Sequence, residues 1–211
     1  LLRPVFDLKE KKRAIEEALA VIRSRTPRLI GYNLSADLGM TCGGEVSIYI
    51  EPLVKPASLF IFGAGHIGRV LAGYATDMNF ETYLIDWRED LFETAGHTRY
   101  QQVRMPYLEA VRELPLDPES YVVIVTPNHE MDEDVLAAVG KMELAYLGLI
   151  GSKRKIATLR ERFLSENLLT EKELDRVDMP IGLRFNAITP AEIAISILAK
   201  LIDVKNSRAS G

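Results

Sequence analysis

Gly63, Gly65 and Gly68 stand in the order Gly-x-Gly-x-x-Gly, directly after the apolar run 59–62 and before a helical pattern. In that context each glycine has a chemical use. The first permits a tight turn, the second lets a pyrophosphate approach the backbone at a helix N-terminus, and the third lets the helix sit close on a sheet. His66 lies inside the turn. Asp86 follows 18 residues after Gly68, at the end of the next strand-like run, where a carboxylate accepts hydrogen bonds from an adenosine ribose and disfavours a 2′-phosphate. That favours NAD over NADP, and Arg88, two residues on, offsets the preference. The expectation is NAD(P) at this turn, although the same turn also survives as a fold element in proteins that bind no dinucleotide.

Three further groups of residues carry reactive or charged side chains. Cys42 is the single cysteine, set among Gly39, Gly43 and Gly44, in a loop where a thiol can reach a ligand; a lone cysteine also serves as a small buried apolar residue. His129 and Asp132 follow the apolar run 121–125, at the carboxyl end of a strand where open α/β folds bind ligands. Asp132 also reads as an ordinary helix N-cap. Ser152, Lys153, Arg154 and Lys155 open a helix, where three cations oppose the helix dipole and call for an anion such as a phosphate or carboxylate, unless the side chains simply turn to water.

The elements that position these residues fall into two blocks. Residues 8–23 show apolar positions Ile15, Ala18, Leu19 and Ile22 at helical spacing, after an Asp7 and Glu10 pair with the form of a capping box. Strands are expected at 28–33 and 45–51, the second alternating Val46, Ile48 and Ile50 with Ser47 and Tyr49. One helix and two strands in this length bury too little to stand alone, so a homodimer is expected, with this piece packed on a partner copy. Pro52 and Pro56 mark the linker. Beyond it the pattern becomes alternating strands (59–62, 82–86, 121–125, 146–150) and helices (67–79, 132–141, 152–167, 190–204), the signature of a parallel sheet covered on both faces. Thr189, Pro190 and Glu192 have the spacing of a helix start. The fold expected is α/β: a Rossmann-like parallel sheet domain, residues 54–211, preceded by a small α+β piece, residues 1–53.

Composition excludes several classes. The chain has 211 residues, 47% hydrophobic and 27% charged, with 26 Lys and Arg against 30 Asp and Glu for a net charge of -4. Such a balance offers no general polyanion-binding surface, so nucleic acid is not an expected partner. No apolar run approaches the roughly 20 residues of a membrane span and the first residues lack the order of a signal peptide. With one cysteine unable to form an internal disulfide, a cytoplasmic protein is expected. No metal-ligand spacing, Gly-x-Ser-x-Gly elbow or Walker A sequence is present.

Taken in order, the segments around Cys42 (Gly-Met-Thr-Cys-Gly-Gly), the Phe-Gly-Ala-Gly-His-Ile-Gly turn ending at Gly68, the Gly-Leu-Ile-Gly-Ser-Lys-Arg-Lys run ending at Lys155 and the Thr-Pro-Ala-Glu-Ile-Ala run from Thr189 resemble the xanthine dehydrogenase accessory factor family of the XdhC/CoxI type. The resemblance covers nearly the whole chain and implies that the first half of that family's N-terminal domain is absent before Leu1, and with it part of the site. It implies a chaperone that binds the molybdenum cofactor (molybdopterin), assists its sulfuration, and passes it to a molybdenum hydroxylase of the xanthine dehydrogenase kind, with a cysteine desulfurase as a further partner. It implies no turnover of the chain's own. By position, Cys42 would be the soft sulfur donor near molybdenum, the Gly63 to Gly68 turn with Ser152, Lys153 and Arg154 would hold phosphate, and His129 and Asp132 would line the pocket. The chain departs from that pattern at Pro127, where the family has a second histidine, and at Arg184, where it has an acid. A competing reading is an NAD(P)-binding oxidoreductase or redox sensor built on Gly63, Gly65, Gly68 and Asp86, for which His129 is the available acid or base. A third is a purely structural protein in which the turn is a relic.

Overall fold

The computed structural model describes residues 8–24, 26–33, 44–52, 56–93 and 98–209. Internal contacts divide the chain into two units, Leu1–Lys55 with Arg208–Gly211, and Pro56–Ser207. In the first unit, helix α1 (Leu8–Ser24) precedes strands β1 (Arg28–Asn33) and β2 (Glu45–Ile50), which pair antiparallel with Leu29 opposite Tyr49. Pro27 separates helix from strand because proline cannot donate the backbone bond that would extend α1. Asp7, Cys42, Gly39 and Gly43, which carry sequence expectations, lie outside the described residues.

The second unit is a five-stranded sheet in the order β5, β4, β3, β6, β7, formed by β3 (Ala57–Phe62), β4 (Phe80–Ile85), β5 (Gln101–Val103), β6 (Tyr121–Ile124) and β7 (Tyr146–Leu149). Every pairing is parallel. The helices are α2 (His66–Asp77), α3 (Asp90–Glu93), α4 (Tyr107–Glu113), α5 (His129–Val139), α6 (Lys153–Ser165), α7 (Glu171–Asp175) and α8 (Pro190–Ala209). Strands covered on both faces read as continuous apolar runs, and β3 shows why: Phe60 and Phe62 join Val135, Leu136 and Phe163 on one face, while Leu59 and Ile61 join Leu71, Ala75, Ile197 and Leu201 on the other. The Rossmann-like sheet with a small preceding α+β piece is the fold the strand and helix alternation predicts.

Several elements depart from the sequence expectation, among them α5, β5 and α4, with the short helices α3 and α7 also unannounced. Helix α5 starts at His129 rather than at residue 132, because Asn128 is its cap and accepts the Met131 N–H at 2.9 Å. Asp132 is therefore not a cap; its side chain turns inward. The edge strand β5 has only three residues with no buried side chain, too short and too polar for an alternating signal. Helix α4 begins after Pro106, without a side-chain cap. At α8 the expected start holds: Glu192 accepts the Ile188 and Thr189 N–H groups and donates its own N–H to Thr189 Oγ1. Among the described residues no helix is long and apolar enough to cross a membrane.

Candidate functional site

The strand order reverses between β3 and β6, and at such a switch point the loops leaving the two strands diverge and open a crevice. The turn after β3 forms one wall. Gly63 has φ +118°, and a Cβ there would lie 2.2 Å from the Val125 carbonyl oxygen; a Cβ on Gly68 would lie 1.8 Å from the Gly63 carbonyl oxygen. Both glycines are demanded by the packing of the turn itself. Gly65 is different. Its φ of −66° suits any residue, and a Cβ would meet nothing within 4 Å. It sits at the N-cap of α2, which among the described residues has no side-chain cap and no acidic residue in its first turn; uncapped N–H groups at a helix start are the arrangement that receives an anion. His66, the first residue of α2, is exposed.

Asp86 sits immediately after β4 and is fully buried. Its carboxylate receives five donors: the Ala64 N–H at 2.8 Å, the Arg88 N–H at 3.1 Å, Arg88 Nε and Nη2 at 2.9 and 2.8 Å, and the Tyr107 hydroxyl at 2.9 Å. Burial works to raise its pKa, but the hydrogen bonds from Arg88, Ala64 and Tyr107 outweigh it and hold the carboxyl below its ordinary value. Tyr107 is pushed the other way, chiefly by burial and then by the Asp86 charge. A carboxylate offers about four lone-pair sites, so Asp86 as placed is saturated by the protein and ties the glycine turn to α4. Two of the three Arg88 guanidinium nitrogens, Nε and Nη2, are held on the same carboxylate.

The β6–α5 loop forms the opposite wall. Asp132 Oδ1 accepts the Thr126 N–H at 3.0 Å and the Thr126 hydroxyl at 2.7 Å; burial nevertheless keeps its pKa above the ordinary carboxyl value. His129 Nδ1 lies 3.9 Å from Asp132 Oδ2, and its Nε2 lies 2.5 Å from Lys155 Nζ. An ammonium has only donors, so Nε2 accepts and the ring proton is placed on Nδ1, toward Asp132. The contact joins the first turns of α5 and α6. Ser152 caps α6, accepting the Lys155 N–H at 3.3 Å. Lys153 and Arg154 are exposed.

The structure therefore brings Gly63, Gly65, Gly68, Asp86 and Arg88 together in one hydrogen-bonded wall, and His129, Asp132 and Lys155 in another. Cys42 lies outside the described residues. Tyr107 and Thr126, which hold the two buried carboxylates, carry no sequence signal, since each meets its acid only through the fold. Chemically, the arrangement can receive an anion at α2, supply cationic charge from α6, and hold or move a proton at His129.

A family model described as the XdhC Rossmann domain matches residues 59–201. The uncharacterized protein YqeB of Escherichia coli (strain K12) is 32% identical over 210 residues, an alignment that covers 95% of this chain and 38% of that protein. A probable xanthine dehydrogenase subunit of Bacillus subtilis (strain 168) is 26% identical over 161 residues, covering 75% of this chain and 46% of that protein. The chain thus spans less than half the length of either curated relative. Among solved structures, a xanthine dehydrogenase from Bacillus halodurans superposes with a TM-score of 0.62 at 21% identity, over 94% of this chain and 81% of that one, a likeness of fold.

Proposed function

The chain belongs to the family of the XdhC Rossmann domain, and on that premise we propose that it serves the maturation of a xanthine dehydrogenase-type enzyme by holding the molybdenum cofactor. The observation that carries the reading is the uncapped α2 N-terminus: Gly65 has space where a Cβ would be, and no side chain among the described residues caps the helix. A phosphate-bearing ligand fits there, with backbone N–H groups as donors and Lys153 and Arg154 supplying charge from α6. His129, kept by Asp132 and Lys155 in one orientation, presents a ring at the crevice. Cys42 is assigned the role of thiolate donor to the metal. When bound, the cofactor supplies the molybdenum centre of the client hydroxylase, and its sulfuration calls for a cysteine desulfurase as sulfur source. The chain's own residues bind and orient; they are assigned no turnover.

A second copy of the chain is the proposed cover for α1, whose Ile15, Leu19 and Ile22 are 59%, 47% and 61% exposed at helical spacing. The NAD(P) reading is favoured by the glycine turn and opposed by the saturated Asp86. Thermal shifts separate the two, because a ligand that binds only the native state raises stability by RT ln(1 + [L]/Kd). The proposal expects a phosphorylated pterin to raise the melting temperature and NAD to leave it unchanged. A shift with NAD alone would overturn it.

A further inference from the structure

A cavity of about 360 Å³ opens beside the carboxyl ends of β4 and β5, lined by Trp87, Pro106, Tyr107, Leu108, Met131 and Asp134. Its size is at the low end of ligand pockets, roughly 300 Å³ upward, which suits one fused ring system rather than a whole dinucleotide. It abuts the glycine turn through a shared group. The Tyr107 hydroxyl and the Ala64 N–H both end on Asp86 Oδ2, at 2.9 and 2.8 Å, and Trp87 follows Asp86 directly. The Trp87 ring is braced by the Arg88 guanidinium, 6.0 Å from its centroid, and is 48% exposed, an unusual position for a tryptophan unless its face is used.

The lining is apolar apart from the Tyr107 hydroxyl, already bound to Asp86, and the Asp134 carboxylate. Asp134 is exposed and makes no hydrogen bond or ion pair among the described residues. An ionised carboxylate only accepts, so it matches a ring edge that offers two adjacent donors, and mismatches adenine, whose edge places a ring-nitrogen acceptor beside its amino group. We propose that this cavity binds a fused 2-amino-4-oxopyrimidine, the ring edge shared by pterins and guanine, stacked on Trp87 with its N–H and NH₂ donors on Asp134. The choice of a pterin over guanine rests on the cofactor-holding reading above; the cavity and its carboxylate do not.

Trp87 is the only tryptophan of the chain, so tryptophan fluorescence comes from this cavity's wall alone, and the selectivity change in Asp134→Asn ties a quenching ligand to the cavity. The experiment titrates the full chain with pterin, guanosine and adenosine in parallel. Saturable quenching by pterin and guanosine, with adenosine at least roughly tenfold weaker, is expected. Asp134→Asn should weaken pterin and guanosine about tenfold and improve adenosine, because a carboxamide complements the adenine edge, while the melting temperature stays unchanged. Tightest binding of pterin identifies the cofactor ring as the ligand; tightest binding of guanosine keeps the cavity assignment and removes the cofactor from it. Equal quenching by all three, no quenching by any, or unaltered selectivity in Asp134→Asn would overturn the proposal. Pterin that copurifies with the chain yet leaves Trp87 unquenched would also overturn it, without touching the cofactor-holding reading.

Discussion

Replacing Asp86 tests whether this carboxylate is a structural tie or a ligand-facing group. Asp86→Ala strands the Ala64 N–H and the Tyr107 hydroxyl and leaves the Arg88 charge without its partner. Removing one partner of a buried ion pair costs about 3–5 kcal/mol. The Arg88 side chain retains 27% exposure and can turn toward water, which places the cost near the lower figure, about 3 kcal/mol. A domain of this size loses roughly 2–4 °C of melting temperature per kcal/mol, so the midpoint should fall by about 10 °C. Asp86→Asn keeps one acceptor and should lie about halfway. The assay is circular dichroism melting of the ligand-free protein at pH 7 and in acid. Because the folded state holds the Asp86 carboxyl below its ordinary value, its stabilisation is complete above the unfolded pKa of about 4 and is lost as pH falls through the lower folded value; the parent and Asp86→Asn curves should converge there. An Asp86→Ala protein that melts within about 1 °C of the parent would refute the reasoning and return the carboxylate to the crevice.

The two outer glycines of the turn should behave unlike the middle one. Gly68→Ala forces a methyl into the Gly63 carbonyl and should destabilise by about 1–3 kcal/mol in denaturant titration, whereas Gly65→Ala should melt like the parent and lose affinity for any phosphate-bearing ligand. Lys153→Glu combined with Arg154→Glu should lower phosphate affinity with no change in melting, checked by calorimetry; an unaltered isotherm would place these cations in solvent alone. Light scattering at micromolar concentration should give the mass of two chains, reduced to one by Ile15→Glu with Ile22→Glu, and a monomeric parent would contradict the dimer.

The strand and helix alternation made the parallel sheet legible, because buried strands are apolar on both faces and leave a strong local trace, as in Leu59, Phe60, Ile61 and Phe62. The glycine turn was equally legible, since Gly63 and Gly68 are fixed by sterics that no other residue satisfies. What escaped was set by contacts distant in sequence. Nothing near Asp86 announces that Tyr107 will reach it, and Lys155 meets His129 across 26 positions. Asp132 has the residue type of a cap, but the structure gives that role to Asn128, and burial against Thr126 turns Asp132 inward. The pair Thr170 and Glu173 forms a capping box for α7 that the sequence does carry, but the helix it starts has five residues and too few apolar positions to show a period.

The cofactor-holding claim is tested most directly by purifying the chain anaerobically from cells that make molybdenum cofactor, oxidising it with acid, and quantifying the released pterin by fluorescence, alongside Gly65→Ala and Cys42→Ala. The account predicts near-stoichiometric pterin from the parent and a marked loss from both variants, with all three proteins melting alike. No pterin from the parent, or equal pterin from parent and Gly65→Ala, would contradict it.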